Sequence, residues 1–96
     1  MTTYHLQQDV VLTPICGEQF LIAAGAARGK VPYIEGVTQP GAYFWRLLEQ
    51  QRSVDDMIRQ AAQDYQVTED VAAAAFWKFA RLLQEKGYLT MDEGVS

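Results

Sequence analysis

A single cysteine, Cys16, and a single histidine, His5, stand among the 96 residues. One thiol excludes an internal disulfide, and one Cys with one His falls short of a zinc site within one chain. Cys16 lies beside Gly17 with no motif around it and reads as a small buried hydrophobe rather than a nucleophile. Positive charge is also scarce. Eight Lys and Arg face twelve Asp and Glu, a formal net charge of −4, and no two cations are adjacent. Nucleic-acid binders draw much of their affinity from neutralised phosphates and carry a basic footprint, so no nucleic-acid partner is expected. No apolar run approaches the roughly 20 residues of a membrane span, and Met1 to Asp9 lack the charged and apolar regions of a signal peptide. No membrane partner is expected, and the cytoplasm is the default compartment.

Groups for chemistry are missing as well. Gly25-Ala26-Ala27-Arg28-Gly29-Lys30 lacks the spacing and the hydroxyl of a phosphate-cradling loop. Asp55-Asp56 and Glu69-Asp70 each follow a helix N-cap, where carboxylates complement the helix dipole rather than form an acid–base pair. No catalytic constellation remains, so the chain reads as a non-enzyme that needs no cofactor or metal.

What is present is a fold. Apolar residues make up 49% and charged residues 21%, ordinary globular usage. The length fits one domain over residues 1–96, with an ordered core from about 8 to 90, a mobile N-terminus around His5 and a fraying tail at 91–96. Composition shifts near Gln39. Before it, Val10 to Ile15, Gln19 to Ala23 and Tyr33 to Val37 read as strands, the first two joined as a hairpin by Cys16-Gly17-Glu18. Pro32 opens the third strand, which suits an edge and not a central ladder. After it come three helices. Thr38 caps the first, with Pro40 in its first turn; Ser53 caps Val54 to Tyr65; Thr68 caps the longest, which Gly87 ends. Trp45, Leu48, Phe44 and Leu47 form one apolar stripe, and Val54, Met57, Ile58, Ala61, Ala62 and Tyr65 a second. On the third helix Val71, Ala75, Phe79 and Leu82 make a row that Ala72, Phe76, Leu83 and Trp77 broaden. The expected fold is α+β and winged-helix-like: a three-stranded antiparallel sheet followed by three helices, in two layers.

Several segments together carry a family resemblance. Gly17 to Ile22, Val37-Thr38-Gln39-Pro40-Gly41-Ala42-Tyr43-Phe44-Trp45-Arg46-Leu47-Leu48, Arg52 to Ile58, Tyr65 to Thr68, and Leu82 to Leu89 follow one another in a pattern that resembles the PqqD family. The likeness runs from about Val10 to Leu89. Val37-Thr38 departs from the family's usual Leu-Asn, although Thr38 can still cap the helix. Glu35 occupies a place that is commonly apolar. An unpaired buried carboxylate costs several kcal/mol, so Glu35 is expected to be exposed, paired or functional.

The resemblance implies a non-catalytic chaperone of peptide modification. Such a domain holds the leader of a ribosomally made precursor peptide and presents it to a modifying enzyme, often a radical S-adenosylmethionine protein. The leader would add as a strand beside the third strand, along the last helix. Tyr33, Ile34, Glu35 and Gly36 would then line the backbone side, and Val71, Ala74, Ala75, Lys78, Phe79, Arg81 and Leu82 the opposite wall. Each wall residue has a plainer reading. Val71, Phe79 and Leu82 fit a core stripe, Lys78 and Arg81 a solvated face, and Ala72 to Ala75 simple helix propensity. Two other functions stay open on the residues: a winged-helix DNA-binding regulator, and a docking module or homodimer using the edge strand.

Overall fold

The computed structural model describes residues 2–93. Its elements run β1 (Thr2–Leu6), β2 (Val10–Ile15), β3 (Glu18–Ala23), a 3-10 turn (Gly25–Ala27), β4 (Ile34–Val37), α1 (Gln39–Glu49), α2 (Val54–Tyr65), α3 (Glu69–Lys86) and β5 (Leu89–Glu93). β2, β3 and β4 form an antiparallel sheet in that order, and β1 pairs antiparallel with β5. The α+β reading with a three-stranded sheet and three helices therefore holds.

Local chemistry explains most of the elements. β2 and β3 are joined by Cys16 and Gly17, both at positive φ (52° and 82°), the primed-turn geometry that matches strand twist. Cys16 is exposed at this turn, contrary to its reading as a buried hydrophobe. The three helices begin at hydroxyl caps. Thr38 Oγ1 accepts from the Gly41 N–H (3.1 Å), Ser53 Oγ from Asp56 (3.1 Å) and Thr68 Oγ1 from Val71 (3.3 Å). Gly87, at φ 88°, ends α3 in the left-handed conformation that costs a glycine little.

The chain ends differ from the sequence expectation. Tyr4 and His5 lie in a strand rather than a mobile terminus, and Met91 to Glu93 are paired rather than frayed. The reason is non-local. The Tyr4 hydroxyl donates to the Arg52 carbonyl, and Leu6 and Met91 pack against the core. The Gln7 N–H also reaches the Tyr88 carbonyl at 2.8 Å. Residues 94–96 of the expected tail lie outside the described residues.

The core sits between the three-stranded sheet and the helices. Trp45, Tyr88, Phe76, Leu21, Leu48, Met57 and Leu83 are its largest fully buried side chains. Aromatic rings meet edge to face along it, Phe44 with Phe76 and Trp45 with Tyr88. Tyr65 is exposed instead of completing the α2 stripe. It ends the helix and packs edge-on against Tyr43, with ring centroids 5.1 Å apart.

Candidate functional site

β4 is an edge strand, and the ladder decides which of its backbone groups are free. The Ala23 N–H donates to the Tyr33 carbonyl (2.9 Å), and the register places Ile22 opposite Ile34 and Leu21 opposite Glu35. Antiparallel ladders alternate bonded and non-bonded pairs. Tyr33, Glu35 and Val37 therefore direct their backbone groups to β3. Ile34 and Gly36 direct theirs to the open side. Both ends of this open stretch are closed. Pro32 has no N–H, and its carbonyl accepts from the Tyr88 hydroxyl (2.9 Å). At the far end the Thr38 carbonyl accepts from the Ala42 N–H.

Side chains alternate the other way. Glu35, opposite the buried Leu21, points to the helical side of the sheet with Val37, whereas Ile34 and Gly36 face outward. Glu35 is neither exposed nor orphaned: its Oε1 lies 3.1 Å from Lys86 Nζ, in the last turn of α3. This ion pair ties the edge strand to the helix end and resolves the placement that the sequence left open. Burial, with the Glu35 carboxylate nearby, pushes the Tyr88 phenol above its ordinary pKa.

Lys86 marks the side of α3 whose last turn reaches β4. At about 3.6 residues per turn, Leu82, Lys78, Ala75 and Val71 lie on its row. Val71, Ala75 and Lys78 are exposed and Leu82 is half-buried. The buried row is instead Ala72, Phe76, Ala80 and Leu83, so the apolar stripe of α3 is centred one residue away from the row Val71–Ala75–Leu82. Phe79 belongs with the core. A Cβ built on Gly41 would come within 2.9 Å of Phe79 Cε1, so the ring fills the space beneath the α1 start and forms no free wall. Ala74 and Arg81 are exposed but sit further round the helix, at the rim. Tyr33 is exposed at the head of the strand, with the Arg28 guanidinium 4.8 Å from its ring centroid.

The structure thus places Ile34 and Gly36 on an open strand edge, and Val71, Ala75, Lys78 and Leu82 on the Lys86 side of α3, the two elements meeting at the Glu35–Lys86 ion pair. Lys86, the partner of Glu35, was not expected from the sequence. An open strand edge beside a helix row of small and apolar side chains can accept an extended chain as an additional strand. Among the described residues no group of three or more His, Cys, Asp or Glu comes together to hold a metal ion. No described helix is long and apolar enough to cross a membrane.

Residues 36–89, from the end of β4 to the start of β5, match the family described as coenzyme PQQ synthesis protein D (PqqD). The chain belongs to the PqqD family. The whole fold is also similar to a solved structure described as TbiB1 in complex with the TbiA(beta) leader peptide. The TM-score is 0.69 and the identity 23%, over 95% of this chain and 96% of that one. At that identity the likeness establishes the fold, including the β2–β3 hairpin that precedes the PqqD match. No match was found among curated proteins.

Proposed function

We propose that this PqqD-family chain binds the leader of a ribosomally made precursor peptide by strand addition to β4. It would then present the bound precursor to a modifying enzyme in the cytoplasm, catalysing no step itself. The observation that carries this reading is the open backbone of Ile34 and Gly36 on a strand that the Glu35–Lys86 ion pair ties to α3. Main-chain pairing supplies affinity in such sites, and pockets for alternate side chains supply specificity. The likeness to TbiB1, a protein solved with a leader peptide, supports the same reading. The receiving enzyme is proposed to be a radical S-adenosylmethionine protein, as the family resemblance implies. A homodimer through β4 would use the same edge and compete with the peptide.

Titration with the leader of a precursor encoded beside this gene tests the proposal by amide NMR. Shifts are expected at Ile34 to Val37 and along the outer row of α3. No binding, or shifts confined to β1, β5 and α2, would sink it.

A further inference from the structure

We infer that the peptide taken by this channel is acidic where it passes α3, its carboxylates meeting Lys78 and Arg81. The inference rests on the groove reading above and names the class of peptide. The chain is net negative, yet the second half of α3 carries three of its eight cations, Lys78, Arg81 and Lys86, while Arg28 and Lys30 lie just before β4 in the chain. Lys86 reaches Glu35, the Lys30 carbonyl lies 3.5 Å from a Cβ built on Gly87, and Arg28 stacks on Tyr33.

Some of these charges are already occupied. Lys86 is paired with Glu35, and elsewhere Arg52 and Arg59 share Asp56. Lys78 and Arg81 have no carboxylate partner among the described residues. Glu85, four residues after Arg81, makes no ion pair with it there either. Like charges three residues apart on a helix repel, so this pair is unfavourable for α3 itself. The acids Glu69 and Asp70 stand in the first turn of α3, at the opposite end of the helix from Arg81. Charge therefore changes sign along the helix. A docked strand turns alternate side chains towards α3. Glutamate or aspartate at those positions, placed near the C-terminal half of α3, would meet two unengaged cations. The same residues placed near Glu69 and Asp70 would be repelled, so the charge gradient also sets the direction in which the peptide lies.

A random-sequence peptide library displayed on phage, selected on the intact chain, provides the probe. Selection is repeated on Gly36→Pro, which removes an open-edge N–H, and on the double variant Lys78→Gln/Arg81→Gln. Both cations are exposed, and thermal melts check that the fold is retained. Peptides lost with Gly36→Pro are expected to carry acids at alternate positions. They should bind the double variant roughly 3- to 10-fold more weakly and weaken with added salt. Groove-dependent binders without acidic enrichment, or with unchanged affinity for the double variant, overturn the inference and leave the groove reading standing. Binders indifferent to Gly36→Pro, or none at all, overturn both.

Discussion

The sheet has two edges, and only one is open to a new strand. On β2 the Ala24 N–H donates to the Asp9 carbonyl (2.8 Å), which sets the alternation so that Val10, Leu12 and Pro14 face outward. Pro14 has no N–H to offer. Its ring sits where no internal ladder bond is lost, and it interrupts the row that another chain could use. On β4 the outward positions are Ile34 and Gly36, which keep both backbone groups, and Pro32 stands just outside the strand. The two edges differ less in exposure than in where proline falls in the register. Sequence composition cannot convey this, because a proline is equally visible in a strand whichever side its nitrogen faces.

The strongest way to break the contrast is to give β4 what β2 already has. Gly36→Pro removes an N–H directed to the open side and leaves every bond to β3 in place. A Cβ there meets only Phe20, at 3.6 Å, an ordinary contact. Peptide binding should fall by at least ~10-fold, since a lost backbone hydrogen bond and the added ring act together. Isothermal titration reads the loss, and an unchanged circular dichroism spectrum shows that the sheet survives. Full retention of affinity would mean that β4 is not the docking edge.

How far the sequence foretold this site depends on the range of each signal. Helix limits were legible because Thr38, Ser53, Thr68 and Gly87 act within a turn of themselves. The β2–β3 hairpin was legible for the same reason, from Cys16-Gly17. β1 and β5 were not, because each is a strand only through its partner at the opposite end of the chain. The outer face of α3 was half-legible. Apolar and small side chains wrap so much of that helix that Val71–Ala75–Leu82 and Ala72–Phe76–Leu83 look alike as core rows. Only packing against α1 and α2 selects the second and frees the first. Glu35 announced that it needed a partner, but Lys86 could be named only once the α3 end was beside β4.

Bulk on the α3 row separates the channel from its rim. Ala75 lies on the Lys86 side of α3, whereas Ala74 is about 100° further round the helix. Ala75→Trp should weaken peptide binding by roughly 10-fold, and Ala74→Trp by less than about 2-fold. Both side chains are exposed, so the melting temperature should move little in either variant. Equal effects at the two positions would place the bound chain on the solvent side of α3 and away from the β4 edge.

The converse change on the other edge carries a smaller effect. Pro14→Val restores an outward N–H on β2 and widens the conformational freedom of the unfolded chain, lowering stability by about 0.4–1 kcal/mol. Sedimentation is expected to show more self-association than in the unmodified chain, because the interrupted row becomes continuous with Leu12. No change in association would indicate that something other than proline keeps β2 unpaired.

The smallest expected effect on binding concerns the end of the open edge. The Tyr88 hydroxyl occupies the Pro32 carbonyl, and Tyr88→Phe frees it at a cost of about 1 kcal/mol in stability. Peptide affinity should shift by less than ~3-fold, since Pro32 still offers no N–H. The pH dependence is more telling. The Tyr88 phenol is held above its ordinary value of 10.0, chiefly by burial and further by Glu35. Below pH 10 both folded and unfolded chains keep the proton, so its contribution to stability is complete. Above pH 10 the unfolded chain releases the proton while the folded chain retains it, and stability falls as pH climbs towards the raised pKa. Tyr4 and Tyr43 are shifted in the same direction and add to the fall. Urea denaturation at pH 7 and again above pH 10 should therefore show a loss at alkaline pH that is smaller in Tyr88→Phe than in the unmodified chain. If the two losses match, the proton of Tyr88 is not what fastens Pro32, and the open edge extends one residue further than the hydrogen bond implies.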